Sequence, residues 1–271
     1  MGRIEALARS CHPLPSLAVT VVATALAVTT GRSPGGLVAV GAAVLAGQLS
    51  VGWLNDLLDA GRDASVGRKD KPVAAGVVSR KLVLIATIAA AATAVGLSLL
   101  SGADATLVHV VTLCSAWAYD FGLKATAFSV VPYAVSFGLL PAFVTLGAPD
   151  GHWPPSWLIA AAALLGSAAH FANVIPDLED DAATGVLGLP HRLGKAASAG
   201  VAAALAVITG VVLAVGPPGP VTAAGVVAVP LSVVILAVGR LRGRRAGSRA
   251  NFNALLAVAV VDVALLIITG A

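Results

Sequence analysis

The stretch GLVAVGAAVLAGQLSVGWLNDLLDAGRD, residues 36–63, joins an apolar run to a cluster of acidic side chains. Residues 36–54 carry no charged side chain, and a run of about 20 such residues is long enough to cross a bilayer as a helix. Asn55, Asp59 and Asp63 follow at intervals of four residues, which places their side chains on one face of a helix. The stretch therefore predicts a membrane-spanning helix that ends in a polar site.

The composition extends this prediction to the whole chain. Hydrophobic residues make up 58% of the 271 residues, charged residues make up 11%, and the mean hydropathy is +0.94. A soluble domain would carry about 25% charged residues. We therefore expect an all-α membrane protein, a single domain over residues 1–271, whose helices form a bundle around a central cavity. The nine predicted spans are residues 15–31, 36–54, 82–101, 105–119, 126–147, 156–175, 196–216, 218–239 and 251–270.

The basic residues predict the orientation of this bundle. Of the 17 Lys and Arg residues, only Arg32 lies on the side of the loops after the first, third, fifth and seventh spans. The positive-inside rule then places the N-terminus and both acidic clusters in the cytoplasm and the C-terminus outside the plasma membrane. The apolar run after Pro15 lacks a convincing A-x-A cleavage site at its end, so it is interpreted as the first span and no cleavable signal peptide is expected. The excess of positive charge indicates contact with anionic lipid headgroups and not with nucleic acid.

The acidic residues are concentrated in two short windows. Of the 13 Asp and Glu residues, four lie between residues 56 and 70 and four between residues 177 and 181. Asp177 and Asp181 repeat the spacing of four residues. Carboxylates stacked in this way stay ionised only if a metal ion or a basic side chain neutralises them. Oxygen ligands without cysteine favour Mg²⁺, which commonly shares its coordination shell with substrate phosphates. Arg62 and Arg68 follow the first cluster and are candidate phosphate contacts.

These residues resemble the motifs of the UbiA-type intramembrane prenyltransferases. Asn55, Asp56, Asp59 and Asp63 match the family's NDxxDxxxD motif, and the second cluster matches its DxxxD motif. Tyr119 and Lys124 resemble the family's YxxxK motif with one extra residue between them, and residues 71–76, KPVAAG, resemble its Arg/Lys-Pro-Leu-x-x-Gly stretch. The family has nine transmembrane helices, and the resemblance covers essentially the whole chain.

The resemblance implies a Mg²⁺-dependent transfer of a prenyl group from an isoprenoid diphosphate to a small-molecule acceptor, commonly an aromatic ring or a quinone precursor. It implies that Asn55, Asp59 and Asp63 hold one metal ion and that Asp177 and Asp181 hold the other. It also implies that Lys71 and Lys124 bind the diphosphate, with Tyr119 nearby. Asp56 and Asp180 are weaker candidates, because each points away from the main stripe if its helix is regular.

Two other functions stay open from the sequence. A UbiA-type terpene cyclase would use the same metal motifs without an acceptor, and an ion-coupled transporter would also place carboxylates in a helical bundle. His170 and Asn173, shortly before Asp177, are candidates for an acceptor subsite. Aromatic residues make up only 4% of the chain, so no rich aromatic cage for cyclic cations is expected, which favours transfer.

Two further features carry predictions about the bundle. Each acidic cluster follows an apolar span and precedes a basic loop that contains glycine and proline, which predicts a pseudo-repeat of two four-helix halves plus a ninth helix. Asp262 lies in the middle of the ninth predicted span. We expect this carboxyl to be protonated or to form an interhelical hydrogen bond.

Overall fold

The structure is a computed structural model that describes residues 2–68, 71–243 and 248–269, apart from the side chain of Arg3. Lys69, Arg244 and Arg245, which belong to the predicted cytoplasmic loops, lie outside these ranges, as do Asp70 and both ends of the chain. The described residues form helices and no strands. The α-helices are α1 (Arg3–Arg9), α2 (Pro13–Thr29), α3 (Pro34–Ser65), α4 (Arg80–Ser98), α5 (Ala103–Asp120), α6 (Val131–Leu146), α7 (Ser156–Val174), α8 (Leu178–Ala183), α9 (Leu189–Val215), α10 (Ala223–Arg242) and α11 (Ala250–Thr269).

Nine of these helices in the described ranges overlap the nine predicted spans one for one, and α1 and α8 are short additions. Six helical segments among the described residues are long and apolar enough to cross a membrane. They start with α3, α4, α7, α9, α10 and α11, respectively. Helices α2 and α6 are apolar but shorter. The all-α fold is thus confirmed, whereas nine membrane crossings and the pseudo-repeat stay predictions.

The ends of several helices follow from local sequence chemistry. Ser33, Ser79 and Thr222 each accept a hydrogen bond from a backbone N–H in the first turn of α3, α4 and α10, which satisfies one of the donors that a helix start leaves unpaired. Helix α3 continues past the predicted end at residue 54 as far as Ser65. It does so because its acidic residues alternate with leucine and alanine, which favour the helix.

The helices pack as a ring around a central space. Each long helix contacts its neighbour in sequence, α7 packs against α9 across the short α8, and α11 contacts α2 and so closes the ring. The largest buried cluster is rich in alanine and valine contributed by α2, α3, α6 and other helices, and such small residues allow close helix contacts. This arrangement leaves a cavity lined by α2, α3, α5, α6, α7 and α11, and the acidic residues lie at one end of it.

The two ends of the bundle differ in charge. At the end opposite the acidic clusters, the Arg32 guanidinium donates hydrogen bonds to the Ser101 hydroxyl at 3.1 Å and to the Val144 carbonyl at 2.7 Å. These contacts bring together the segments after α2 and α4 and the last turn of α6. Which end faces the cytoplasm stays a prediction.

Asp262 is buried in α11 with 2% of its surface exposed. Neither carboxyl oxygen has a hydrogen-bond partner among the described residues. The expected interhelical hydrogen bond is therefore not found, and a protonated, neutral carboxyl is the form that such an apolar setting favours.

Candidate active site

A cavity of about 750 Å³ lies at the acidic end of the bundle. Eleven of the twelve side chains predicted for the site line it: Asn55, Asp59, Arg62, Asp63, Arg68, Lys71, Tyr119, Lys124, Asn173, Asp177 and Asp181. Deeper in, the wall is apolar and includes Val19, Phe137, Leu140 and Leu255. The cavity thus has a charged mouth and an apolar interior. This distribution of polarity suits a ligand with a polar head and an apolar tail.

The first acidic motif occupies the last turns of α3. Asn55, Asp59 and Asp63 all face the cavity, as the spacing of four residues predicts. Asp59 Oδ1 accepts a hydrogen bond from Lys124 Nζ at 2.5 Å, and Asp59 Oδ2 lies 2.8 Å from an Arg62 nitrogen. The Asn55 amide donates to Asp120 Oδ1 at 2.8 Å. The motif is therefore tied to α5 and to the loop that follows it.

The second acidic motif does not lie on one regular helix. Helix α7 ends at Val174, a 3₁₀ turn covers Ile175–Asp177, and α8 begins at Leu178. Pro176 in this turn has no backbone N–H to donate, which favours the break in the α-helix. Asp177 and Asp181 nevertheless both reach the cavity, and Asp180 points outward with 57% of its side chain exposed.

Two arginines contact the acidic clusters at the mouth of the cavity, and one of them, Arg62, joins the two motifs. Arg62 contacts Asp59 of the first motif at 2.8 Å and Asp181 of the second at 3.6 Å. Arg68 lies 3.2 Å from Asp177 and 3.6 Å from Asp180. The carboxylates, which would repel one another, are therefore neutralised by basic side chains in this structure.

Lys71 has a partner that the sequence did not indicate. Its Nζ donates to Asp56 Oδ1 at 2.7 Å, and His12 Nε2 lies 3.2 Å from each of these two atoms. Asp56 is 2% exposed and is absent from the cavity wall. Asp56 thus points away from the stripe as expected, but it holds the lysine that the resemblance assigns to the diphosphate.

The N-terminal arm, residues 3–12, covers this corner of the site. Trp53 Nε1 donates to the Leu7 carbonyl at 2.8 Å, and the Cys11 carbonyl approaches Gly52 so closely that a Cβ there would clash with it. His12 has a φ of 53°, in the left-handed region that few residues other than glycine adopt. Burial raises the pKa of the Cys11 thiol, so this thiol stays protonated.

Three aromatic side chains lie together on the cavity wall although the aromatic content of the chain is low. Both tyrosines of the chain, Tyr119 and Tyr133, lie with ring centroids 5.2 Å apart on the cavity wall. Phe137 stacks on Tyr133 at 6.2 Å. A low overall content did not reveal this cluster, because the fold gathers rings from α5 and α6 at one place.

His170 is the one predicted site residue that the structure does not place on the cavity wall. Its ring lies behind the tyrosines, 5.0 Å from Tyr133, and its Nε2 is 3.0 Å from the Ser129 hydroxyl. Asn173 does line the cavity. Of the predicted acceptor pair, only Asn173 is therefore exposed to the cavity.

Sequence reasoning missed four groups on or beside the cavity: His12, Asp120, Tyr133 and His191. Asp120 had a detectable signal, since it is an isolated acid between Tyr119 and Lys124 at the end of a predicted span. The two histidines and Tyr133 had none, because only the folded chain brings them beside the acidic motifs.

The donor set fits a hard divalent cation. Within the described ranges, no three His, Cys, Asp or Glu side chains converge closely enough to hold a metal ion as they stand. Arg62 and Lys124 each form an ion pair with Asp59. The amide of Asn55 and the four carboxylates of Asp59, Asp63, Asp177 and Asp181 still offer the oxygen ligands that Mg²⁺ prefers.

Long apolar helices around a cavity with two acidic motifs at its mouth define an integral membrane protein with a polar site at one end. The chain belongs to the UbiA prenyltransferase family, whose family profile matches residues 16–259. No functionally curated protein matches its sequence.

Solved structures with the same fold support this assignment. A UbiA homolog from Archaeoglobus fulgidus bound to GPP and Mg²⁺ shares 18% identity, with 98% of each chain covered and a TM-score of 0.74. The apo structure of a UbiA homolog from Aeropyrum pernix K1 shares 17% identity over 94% of this chain and 97% of that one, with a TM-score of 0.76. A digeranylgeranylglyceryl phosphate synthase shares 14% identity over 100% and 99% of the chains, with a TM-score of 0.69.

Proposed function

We propose that this protein is a Mg²⁺-dependent prenyltransferase that uses an isoprenoid diphosphate within the membrane and passes its prenyl group to a small-molecule acceptor. The observation that carries the proposal is the contact of Arg62 with both Asp59 and Asp181, since it brings the two acidic motifs to the mouth of one cavity. Family membership supports the reaction type. Similar UbiA homologs solved with GPP or DMAPP and Mg²⁺ support the class of donor substrate.

The carboxylates would hold the metal ions. Following the family motifs, Asn55, Asp59 and Asp63 would bind one ion, and Asp177 and Asp181 would bind the other. Bound Mg²⁺ would supply positive charge that stabilises the departing diphosphate.

The basic side chains at the mouth would bind the diphosphate. Lys71, Lys124, Arg62 and Arg68 all line the cavity, and each contacts at least one carboxylate. A lysine ammonium has three N–H donors and an arginine guanidinium has five, so these contacts leave donors for phosphate oxygens. A diphosphate here would be held in an orientation that directs its chain toward the apolar interior.

The rest of the cavity would serve the prenyl group and the acceptor. When the allylic C–O bond breaks, its electron pair leaves with the diphosphate and the carbon becomes cationic. The rings of Tyr119 and Tyr133 would stabilise that charge, and the apolar wall would keep water from quenching it. An electron-rich acceptor beside Asn173 would form the new bond and then release a proton, and we propose an aromatic ring or a quinone precursor in this role.

Terpene cyclisation is the second candidate, and the tyrosine pair favours it more than the sequence did. Aromatic faces beside a forming cation suit a cyclase, in which the cation attacks a double bond of its own chain. No observation among the described residues favours the ion-coupled transporter.

Product analysis separates these functions. Detergent-purified protein with Mg²⁺ is given geranyl, farnesyl and geranylgeranyl diphosphate, first alone and then with phenolic and quinonoid acceptors. A prenylated glyceryl phosphate belongs in the acceptor panel, because one structural relative is named as a digeranylgeranylglyceryl phosphate synthase. Prenylated acceptor detected by mass spectrometry only when acceptor is present supports transfer. Hydrocarbon or terpene alcohol formed without acceptor and lost in EDTA supports cyclisation, and no consumption with any acceptor contradicts the proposal.

A further inference from the structure

His191 is a buried imidazole beside the second acidic motif with unsatisfied nitrogens. Only 4% of its side chain is exposed, and it lines the cavity. Its Nε2 lies 3.6 Å from Asp181 Oδ2. Neither Nε2 nor Nδ1 has a hydrogen-bond partner among the described residues.

The backbone around His191 is fixed by contacts with the loop after α5 and by a contact within its own segment. The Lys124 carbonyl approaches Gly188 so closely that a Cβ at Gly188 would clash with it. The Leu189 N–H donates to the Ser129 hydroxyl at 2.9 Å, and Arg192 Nε donates to the Leu187 carbonyl at 3.1 Å. His191 is therefore held at the cavity wall by its surroundings and not by a bond of its own ring.

An imidazole in this position lacks an ordinary structural explanation. A buried donor or acceptor without a partner costs about 1–3 kcal/mol, and most buried side-chain polar atoms have at least one hydrogen-bond partner. The 3.6 Å separation from Asp181 is longer than the roughly 2.7–2.9 Å of a charge-assisted hydrogen bond. Adjacent ligands of an octahedral Mg²⁺ ion, each about 2.0–2.1 Å from the metal, lie about 3 Å apart, so a shift of about 0.6 Å would bring both groups onto one ion.

We infer that His191 is a nitrogen ligand of the divalent cation at the second acidic motif, where it acts together with Asp181. The inference rests on the metal site of the proposed function, but it does not depend on the acceptor or on whether the reaction is transfer or cyclisation. A site with one imidazole among its oxygen ligands binds Mn²⁺ better relative to Mg²⁺ than a site of oxygens alone. The second motif would then differ in metal preference from the first, whose proposed ligands are all oxygens.

Pulsed electron paramagnetic resonance on bound Mn²⁺ tests this directly. Purified full-length protein is loaded with Mn²⁺ in the presence of inorganic diphosphate, once with natural histidine and once with ¹⁵N-histidine. We expect a nitrogen modulation that changes with the ¹⁵N label and is absent in H191Q. We also expect H191Q to lose about tenfold or more in Mn²⁺ affinity, since removal of even a second-shell partner of a metal site costs that much.

H12Q is the matched control, because His12 is the other histidine on the described cavity wall. The H12Q variant should keep the nitrogen modulation. The comparison of wild-type protein with H12Q can still be made if H191Q does not fold. Mn²⁺ bound without a histidine modulation, or a modulation lost in H12Q, would overturn the role of His191 while leaving the proposed function intact. Absence of any Mn²⁺ binding to the wild-type protein would overturn both.

Discussion

Arg62 on α3 reaches Asp181 on α8 at 3.6 Å, and this contact joins the two acidic motifs, which are more than a hundred residues apart in the sequence. The same guanidinium contacts Asp59 at 2.8 Å. The two motifs therefore lie in the same local electrostatic field. A change in either motif should affect a ligand that both motifs bind.

Removal of one carboxylate from either motif should abolish turnover. Asp59→Ala and Asp177→Ala each remove a proposed metal ligand, and we expect activity to fall by about a hundredfold or more, as when a group that stabilises transition-state charge is deleted. Both variants should remain folded by size-exclusion chromatography. Asp150→Ala, which changes an exposed acid outside the cavity, is the matched control and should retain activity. Near wild-type activity in either motif variant would show that the metal assignment is wrong.

The pair of Asp56 and Lys71 should be strongly coupled in stability. Asp56 is 2% exposed and its carboxylate is 2.7 Å from the lysine, so Asp56→Ala leaves a positive charge at a largely buried position. We expect a loss of about 3 kcal/mol in the free energy of unfolding. The double variant with Lys71→Met should recover part of that loss in thermal unfolding, because the isolated charge is gone. Additive effects of the two changes would argue against a coupled pair.

The tyrosine pair should affect the chemical step more than binding. Tyr133→Leu removes a ring from the cavity wall, and we expect kcat to fall about 2- to 30-fold, the equivalent of a cation–π contribution of about 0.5–2 kcal/mol. Tyr133→Phe keeps the ring and should stay close to the wild-type kcat. Equal losses of kcat in the two variants would show that the hydroxyl, and not the ring, is responsible for the effect.

Asp262 should lower the free energy of unfolding. Both of its oxygens are buried without a hydrogen-bond partner in the described structure, so Asp262→Leu removes an unsatisfied polar group from an apolar helix. We expect the free energy of unfolding to rise by about 1–3 kcal/mol. Asp262→Asn keeps a polar group there and should bring no such gain. A lower melting temperature for the leucine variant would indicate a polar partner for this carboxyl.

The nine long helices were predictable because each follows from a local pattern of apolar residues. Long apolar runs indicated the positions of the nine long helices, and the spacing of Asn55, Asp59 and Asp63 indicated the face of α3 that lines the cavity. Helix boundaries were less accurate. Helix α6 begins at Val131 and not at residue 126. A 3₁₀ turn covers Leu123–Ala125, and further turns follow it before the helix starts.

The partners of the charged side chains were not predictable, because they depend on which loops meet. The contacts of Lys71 with Asp56 and of Arg62 with Asp181 join segments that the sequence alone does not bring together. The meeting of Tyr119 and Tyr133 has the same origin, since it follows from the packing of α5 on α6. The composition shows that the chain has few aromatic residues, but it contains no information about which of them come together in the fold.

The most direct test of the central claim is equilibrium binding of radiolabelled geranylgeranyl, farnesyl and geranyl diphosphate to the detergent-purified protein, with Mg²⁺ and with EDTA. It requires no knowledge of the acceptor. We predict that at least one of the three binds in Mg²⁺, that EDTA removes this binding, and that Asp59→Ala and Asp177→Ala each weaken it, since the two motifs act on one diphosphate. Equal binding in Mg²⁺ and in EDTA, or unchanged binding in both variants, would contradict the account.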